Sequence, residues 1–114
     1  MINNMKISEL IKDLQKAEKM GIIDVLVTHN PLYDGYFIRN VTCAGIDTTV
    51  DIKLTFPNSV IYSKHDLIFG LMLRELIKEL QSMMVGYGSN IEVTCKEHTI
   101  KYVKVCDGKV YIII

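Results

Sequence analysis

The chain has 114 residues, of which 49% are hydrophobic and 23% charged, proportions typical of one globular domain. Thirteen basic residues balance thirteen acidic ones, which excludes the strongly basic surface of most proteins that bind nucleic acid or anionic membranes. No apolar run approaches the roughly 20 residues needed to span a bilayer, and three cysteines at unrelated spacings indicate no disulfide framework. We therefore expect a cytoplasmic protein with no membrane segment, no cofactor and no nucleic-acid partner.

The first half of the chain predicts one helix followed by three strands. Apolar residues recur at helical spacing over Ser8–Met20, with Ser8 as the expected N-cap. Gly21 stands where a helix ends in a left-handed glycine, and after it the apolar period changes to two. Turn residues then divide the sequence into strands at Ile22–His29, Tyr36–Cys43 and Thr48–Phe56.

The second half repeats this order. Ser63 and Asp66 resemble a capping box before a second helix, predicted over Lys64–Met84. Three more strands follow at Ile91–Cys95, Thr99–Cys106 and Lys109–Ile114. The Asp107-Gly108 pair between the last two strands is typical of a type I′ hairpin turn.

The two halves are also alike in sequence. Residues Glu9–Gln15 match Glu75–Gln81 at six of seven positions, and Asp13 replaces Glu79 at the seventh. The offset between matching residues is 66 in the helix and then 68, 62 and 60 in successive strands, so every change of length falls in a predicted loop. We interpret this as a tandem duplication, with repeat one at about 7–56, a linker at 57–63 and repeat two at about 64–114.

The predicted fold is a single α+β domain over residues 1–114, built from tandem duplicated α-β-β-β units. One helix on three strands leaves little core for about 50 residues, so the two units must share one. We expect two helices packed on one face of a mainly antiparallel six-stranded sheet.

The helix beginning Ser8-Glu9-Leu10-Ile11, followed by the Asp24-Val25 strand and a meander, resembles a unit found among small uncharacterised proteins of bacteriophages and mobile elements. The resemblance extends to both halves. It implies a phage or mobile-element origin, but no activity and no catalytic residue, because the matching positions are structural.

Two features depart from the repeat and are therefore not needed merely to build the unit. The loop from His29 to Tyr36 is about six residues longer than its counterpart at Lys96–His98. It carries two tyrosines, whose large rings and polar tips suit binding interfaces. The candidate binding residues are His29, Tyr33, Asp34 and Tyr36, although a longer hairpin folded over the sheet edge would explain them too.

The second feature is the apolar start of helix two, which extends beyond the part that matches helix one. A helix that is apolar on every side must be covered, either by the rest of the domain or by a second copy of the chain. The candidate interface residues are Leu67, Ile68, Phe69, Leu71 and Met72.

Residues that could support catalysis or metal binding give weaker patterns. Cys95 and His98 have a zinc-like spacing, and Cys106 or Cys43 could add a further ligand. Cys95 and Cys106, however, would lie some 20 Å apart at opposite ends of one strand. A nucleophile site would need His29, Cys43 and Asp47, and nothing nearby indicates their activation. We therefore predict no metal site and no catalytic residue, and we read Asp51 as a solvated side chain.

The favoured function is a non-enzymatic binding protein that contacts a host protein and inhibits a bacterial defence system, as anti-CRISPR proteins do. A second hypothesis is a protein that sequesters a small ligand such as a nucleotide, using Tyr33, Tyr36, Lys96 and Lys101. A structural assembly subunit is a third. A homodimer would be compatible with each of them.

Overall fold

The computed structural model describes residues 5–29, 35–44, 49–57 and 70–114, except for the side chains of residues 43, 44 and 55–57. The described elements, in chain order, are α1 (Ile7–Lys19), β1 (Asp24–Thr28), β2 (Tyr36–Ala44), β3 (Thr49–Pro57), α2 (Leu73–Tyr87), β4 (Glu92–Cys95), β5 (His98–Thr99), β6 (Tyr102–Cys106) and β7 (Lys109–Ile113). The α+β class and the pair of helices are as predicted. Neither helix in the described ranges has the length and apolar character needed to cross a membrane.

Helix α1 begins at a different cap from the one predicted. Ser8 lies inside the helix, and the N-cap is Lys6, whose backbone N–H donates to Glu9 Oε1 at 3.1 Å. The carboxylate thus satisfies one backbone donor at the helix start. At the other end Gly21 adopts φ 86°, which confirms the predicted glycine, and its N–H donates to the carbonyl of Glu18 at 3.0 Å.

Helix α2 begins later than the prediction of Lys64. Met72 is extended, with φ −77° and ψ 164°, and it caps a helix that starts at Leu73. Its N–H donates to Glu75 Oε1 at 3.0 Å, the same bond that Glu9 makes in α1. A continuous helix through residues 70–72 is therefore wrong, and the predicted turns at 64–69 lie outside the described residues.

The sheet is mixed and has seven strands in the order β5-β4-β3-β2-β1-β7-β6, instead of six mainly antiparallel ones. The β1–β7 and β3–β4 pairs are parallel, and the other four pairs are antiparallel. The extra strand arises because the predicted strand Thr99–Cys106 breaks at Ile100 and Lys101. Before the break it pairs with β4, and after it the chain pairs with β7, so one strand becomes two.

This change of partner curls the sheet back on itself. The terminal strands β5 and β6 are separated in the chain by Ile100 and Lys101 alone. Ile100 is buried, and the N–H of Lys101 donates to the carbonyl of Ile113 at 2.7 Å, continuing the ladder of β6 with β7. Residues 98–106 therefore join the two ends of the strand order.

The two halves of the chain meet through matching contacts. The N–H of Ile7, at the start of α1, donates to the carbonyl of Ile91 at 2.8 Å, and the N–H of Leu73, at the start of α2, donates to the carbonyl of Ile23 at 2.9 Å. The parallel ladders also share one register: Val50 lies opposite Val93 in β3–β4, and Val110 lies opposite Val25 in β7–β1. We call these two places the junctions between the halves: one joins the start of α1 and β3 to the β4 region, and the other joins the start of α2 and β7 to the β1 region. The contacts at one junction recur at the other.

One hydrophobic core fills the space between the helices and the sheet. The buried helical members are Ile7, Leu10, Ile11, Leu14 and Ala17 of α1, and Leu73, Leu76, Ile77 and Leu80 of α2. They pack against alternate residues of the strands, including Val25, Val27, Val50, Ile52, Val93, Val110 and Ile112. A smaller apolar cluster of Leu26, Tyr111 and Ile113 lies on the opposite face of β1 and β7.

Two hairpins turn through residues with positive φ. Asp107 and Gly108 have φ of 51° and 74° between the paired residues Cys106 and Lys109, which confirms the predicted two-residue turn. The β4–β5 hairpin uses Lys96 and Glu97 in the same way, with φ of 51° and 68°. The sequence predicted a loop at Lys96–His98 but not this two-residue geometry, because neither Lys96 nor Glu97 favours a positive φ.

Candidate functional site

The described ends of the predicted binding loop meet the β4–β5 turn. The Lys96 ammonium lies 4.5 Å from the centre of the Tyr36 ring, a cation–π contact. The rings of His29 and His98 meet edge to face with centroids 5.1 Å apart, and His29 Nδ1 lies 3.3 Å from the carbonyl oxygen of Ile114. The structure thus brings His29 and Tyr36 to the same turn, whereas Tyr33 and Asp34 lie outside the described residues.

The predicted interface segment is described only at its end. Leu67, Ile68 and Phe69 lie outside the described residues. Leu71 is half-buried and packs against the core, whereas Met72 is 53% exposed.

Met72 lies between two grooves. One has a volume of about 340 Å³ and is lined by Ile22, Ile23 and the charged residues Glu18 and Arg74. The other has a volume of about 240 Å³ and runs along β1 beside residues 70–72. Ile23 is 61% exposed and Met20 is 66% exposed. Ile23 and Met72 line the first groove together, and we call these two residues the Met72 surface. Met20 stands three residues before Ile23 in the chain.

The matching junction in the other half of the chain is closed. Ile91 takes the place of Ile23 and is only 8% exposed, while Lys6 takes the place of Met72. The Lys6 ammonium forms an ion pair with Glu92 at 3.5 Å. Two junctions with the same backbone contacts therefore present different surfaces, one charged and one apolar.

A polar groove of about 590 Å³ lies along the central strands β2 and β3 and reaches Lys96. Three cationic side chains line it: Arg39, Lys53 and Lys96. Asp51 lies at its base and is 8% exposed. Irregular pairing of β2 with β3 between Ile38 and Asn40 indicates a bulge at this edge of the groove, the type of distortion that redirects side chains.

The carboxylate of Asp51 is held through both of its oxygens. Thr94 donates its hydroxyl proton to Asp51 Oδ1 at 2.8 Å, and the Lys53 ammonium lies 2.7 Å from Oδ2. The hydrogen bond with Asp51 and the charge of that carboxylate raise the pKa of Lys53. Our sequence-based interpretation of Asp51 as a solvated residue was therefore wrong, because its side chain is buried within this network.

Sequence reasoning missed most of this groove because the polar side of an alternating strand looks the same whether it faces solvent or a groove. In Val50-Asp51-Ile52-Lys53 the polar positions read as solvent-facing. The one available signal was the alignment of the repeats, in which Asp51 stands opposite Tyr111 at an offset of 60. A charge at a position that is aromatic in the other half of the chain indicates a local difference in role.

The residues considered for catalysis or metal binding are not assembled in the part of the chain that the structure describes. Asp47 and the side chain of Cys43 lie outside it, and His29 contacts His98 instead. Within the described residues no three His, Cys, Asp or Glu side chains come close enough to share a metal ion. Cys95 is buried, and desolvation raises the pKa of its thiol to about 12, so it stays protonated and a poor nucleophile at neutral pH.

Comparison with models of known protein families, with curated proteins and with solved structures finds no match to this chain.

Proposed function

We propose that this protein is a non-enzymatic binding protein that contacts a partner protein through the Met72 surface. The observation that carries this proposal is the asymmetry of the two junctions. Ile23 and Met72 are exposed at positions where the other half of the chain buries Ile91 and places an ion pair. Exposed apolar side chains lower solubility. Because the other half of the chain has an ion pair at this position, the exposed Ile23 and Met72 favour a binding role.

The chemistry of the surface indicates what the partner presents. Met72 gives a polarisable, flexible apolar contact that adapts to different side chains. Glu18 and Arg74 line the adjoining groove with opposite charges and no net field. The partner should therefore insert an apolar side chain, such as leucine or phenylalanine, between polar residues that pair with both charges.

A photo-crosslinking experiment tests this proposal. A benzoylphenylalanine placed at position 20 should give one discrete adduct in bacterial cells, because Met20 is exposed and directly precedes Gly21 and Ile22, which line the groove beside the proposed contact. The same probe at position 85 is the control, since Val85 is apolar and 86% exposed but lies on the far part of α2. Adding Ile23→Glu should remove the position-20 adduct, because a buried unpaired carboxylate costs several kcal/mol at an interface, on the order of a hundredfold in affinity.

The mass of the adduct identifies the partner class. An adduct with twice the mass of the chain would assign the surface to a homodimer, in which Glu18 of one copy faces Arg74 of the other. Equal adducts from positions 20 and 85, or an adduct that survives Ile23→Glu, would contradict the proposal.

We further propose that the partner is a host protein and that the chain is a phage-encoded inhibitor of a bacterial defence system acting in the host cytoplasm. The resemblance of the Ser8-Glu9-Leu10-Ile11 helix and its meander to small phage proteins supports this. The direct measurement is plating of phages on a strain that carries a defence system, with and without the protein. Restored plaques that are lost with Ile23→Glu would support inhibition through this surface, and unchanged plating across the major defence classes would count against it.

We also propose that the domain arose by tandem duplication of one α-β-β-β unit. The equal registers of the two parallel ladders support this, as do the paired capping bonds of Glu9 and Glu75. In the second copy the middle strand is divided into β5 and β6, while β2 carries its bulge at the matching position. Duplication would explain the β2 bulge and the break between β5 and β6 as the same bend, present in the original unit and retained in both halves.

A further inference from the structure

The polar groove occupies a place in the fold that does not require polar residues. Because the two parallel ladders share one register, the Asp51–Thr94 pair of β3–β4 corresponds to the Tyr111–Leu26 pair of β7–β1. Tyr111 and Leu26 are buried in an apolar cluster. The equivalent backbone positions thus carry apolar side chains in the β7–β1 ladder and a buried carboxylate in the β3–β4 ladder.

Burial of a carboxylate is unfavourable unless its charge and lone pairs are fully compensated, and apolar replacements are often at least as stable. The other half of this chain shows that apolar residues fit the register. The Asp51 network is therefore best explained by what it does at the surface, which is to hold Lys53 at a fixed place beside the groove. A lysine tied through a 2.7 Å contact is oriented, whereas a free surface lysine is not.

The charge of the groove is positive although the chain is neutral overall. Three cations, Arg39, Lys53 and Lys96, face one carboxylate, Asp51, which leaves two positive charges in excess. Lys53 is paired with Asp51, and Lys96 lies over the Tyr36 ring. Arg39 is exposed and forms no ion pair with any described residue, so its guanidinium is available to bind an oxyanion through two parallel hydrogen bonds.

A neutral polar group completes the site. Asn40 lies next to Arg39 at the β2 bulge and lines the groove. Its Oδ1 atom is buried and has no hydrogen-bond partner among the described residues. Since buried polar atoms are nearly always paired, we expect the Asn40 amide to turn when a ligand binds and to accept a hydrogen bond from a ligand hydroxyl at the groove wall.

We propose that this groove binds a small phosphorylated molecule that carries hydroxyl groups, of the size of a nucleoside monophosphate. Arg39, Lys53 and Lys96 bind the phosphate, and Asn40 accepts a hydrogen bond from a ligand hydroxyl. The volume of about 590 Å³ lies within the range of small-molecule sites. This site is separate from the Met72 surface and does not depend on the partner-protein proposal.

Calorimetric titration of the full chain with adenosine 5′-monophosphate and with inorganic phosphate, at one fixed ionic strength, tests the site. Saturable binding of the nucleotide is expected below about 1 mM, with inorganic phosphate at least about tenfold weaker because it makes no contact equivalent to that with Asn40. Arg39→Gln and Lys96→Met should each weaken nucleotide binding by about tenfold or more. Both side chains are exposed, so unchanged thermal unfolding will show that the fold is intact.

The repeat supplies a matched control. Lys101 corresponds to Arg39 at an offset of 62, is exposed, and is not among the described residues that line the groove. Lys101→Gln removes the same charge and should leave the affinity within about twofold of the wild type. Absence of saturable nucleotide binding, equal weakening by Lys101→Gln and Arg39→Gln, or equal affinity for phosphate and nucleotide would each overturn the proposal.

Discussion

The buried thiol of Cys95 makes the stability of the fold depend on pH. Desolvation raises the pKa of its thiol to about 12, with the charge of Asp51 as a second cause, whereas an unfolded cysteine titrates near pH 8.5. In the interval between these values the unfolded chain releases a proton that the folded chain retains. The stability that this group contributes is therefore complete below about pH 8.5 and is lost as the pH rises towards 12.

The variant Cys95→Val isolates this effect, because Val27 occupies the matching position in β1. Between pH 9 and 10.5 the wild type should lose about 2 kcal/mol of unfolding free energy relative to the variant. Urea unfolding of both proteins at several pH values measures the difference, and other titrating groups cancel because they are shared. A constant difference across this range would show that the thiol is not what couples folding to pH.

Asp51 and Thr94 allow a second test at the level of single residues. Thr94→Val leaves Asp51 Oδ1 without its 2.8 Å hydrogen bond, which should destabilise the protein by about 1–3 kcal/mol. Changing both Asp51 and Thr94 to Val removes the unpaired group as well, so its stability should return to within about 1 kcal/mol of the wild type.

Thermal unfolding measures both variants, and nucleotide binding provides the second readout. A double variant that is stable but no longer binds would show that the carboxylate is kept for the ligand. A double variant much less stable than Thr94→Val would instead assign Asp51 a role in holding the fold together.

At the scale of elements, the two short hairpins reach the same turn geometry with different residues. Gly108 provides the second turn position at φ 74°, where a side chain would be strained, and a Cβ added there would contact nothing within 4 Å. Glu97 holds the corresponding position of the β4–β5 turn at φ 68°. At this positive φ the backbone of a glutamate is strained, whereas that of a glycine is not.

Reciprocal substitutions should therefore have opposite effects on stability. Glu97→Gly should stabilise the protein by about 0.5–1 kcal/mol, after allowing for the greater freedom of glycine in the unfolded chain. Gly108→Ala should destabilise it by about 1 kcal/mol. Both changes are at exposed turns, so the midpoints of chemical unfolding report backbone strain with no confounding loss of packing. A loss of stability on Glu97→Gly would indicate that the Glu97 side chain itself makes a stabilising contact.

For the whole molecule, the sequence predicts elements whose buried face is set by residues close in the chain. It does not predict strand pairings between residues far apart in the chain. The helical spacing of Leu10 and Leu14, and of Leu76 and Leu80, places both helices because each buried face is local. The parallel pairing of Asp24 with Lys109 joins residues from opposite ends of the chain, and no local sequence pattern predicts it. The burial of Asp51 depends on another long-range pairing, that of β3 with β4, and the break at Ile100 marks the change of partner from β4 to β7. Both were therefore missed, and the groove was missed with them.

Those long-range pairings also determine how the whole chain folds. Each half ends in a strand whose parallel partner belongs to the other half, and α1 and α2 form one shared core. A chain cut between Asn58 and Ser59, inside the predicted linker, should therefore give two fragments that are unfolded when separate. Each fragment would lack the partner strands and the facing helix needed to bury its apolar residues.

Mixed in equal amounts, the two fragments should form a folded one-to-one complex whose stability depends on concentration. Circular dichroism at increasing concentrations of the mixture measures this, with each fragment alone as the control. A fragment that folds as a monomer would contradict the shared core and, with it, the argument for duplication. Self-association of the first fragment into a folded dimer would instead support the proposed duplication. In such a dimer β1 and β3 of each copy would supply the parallel partners that the second half provides in the intact chain.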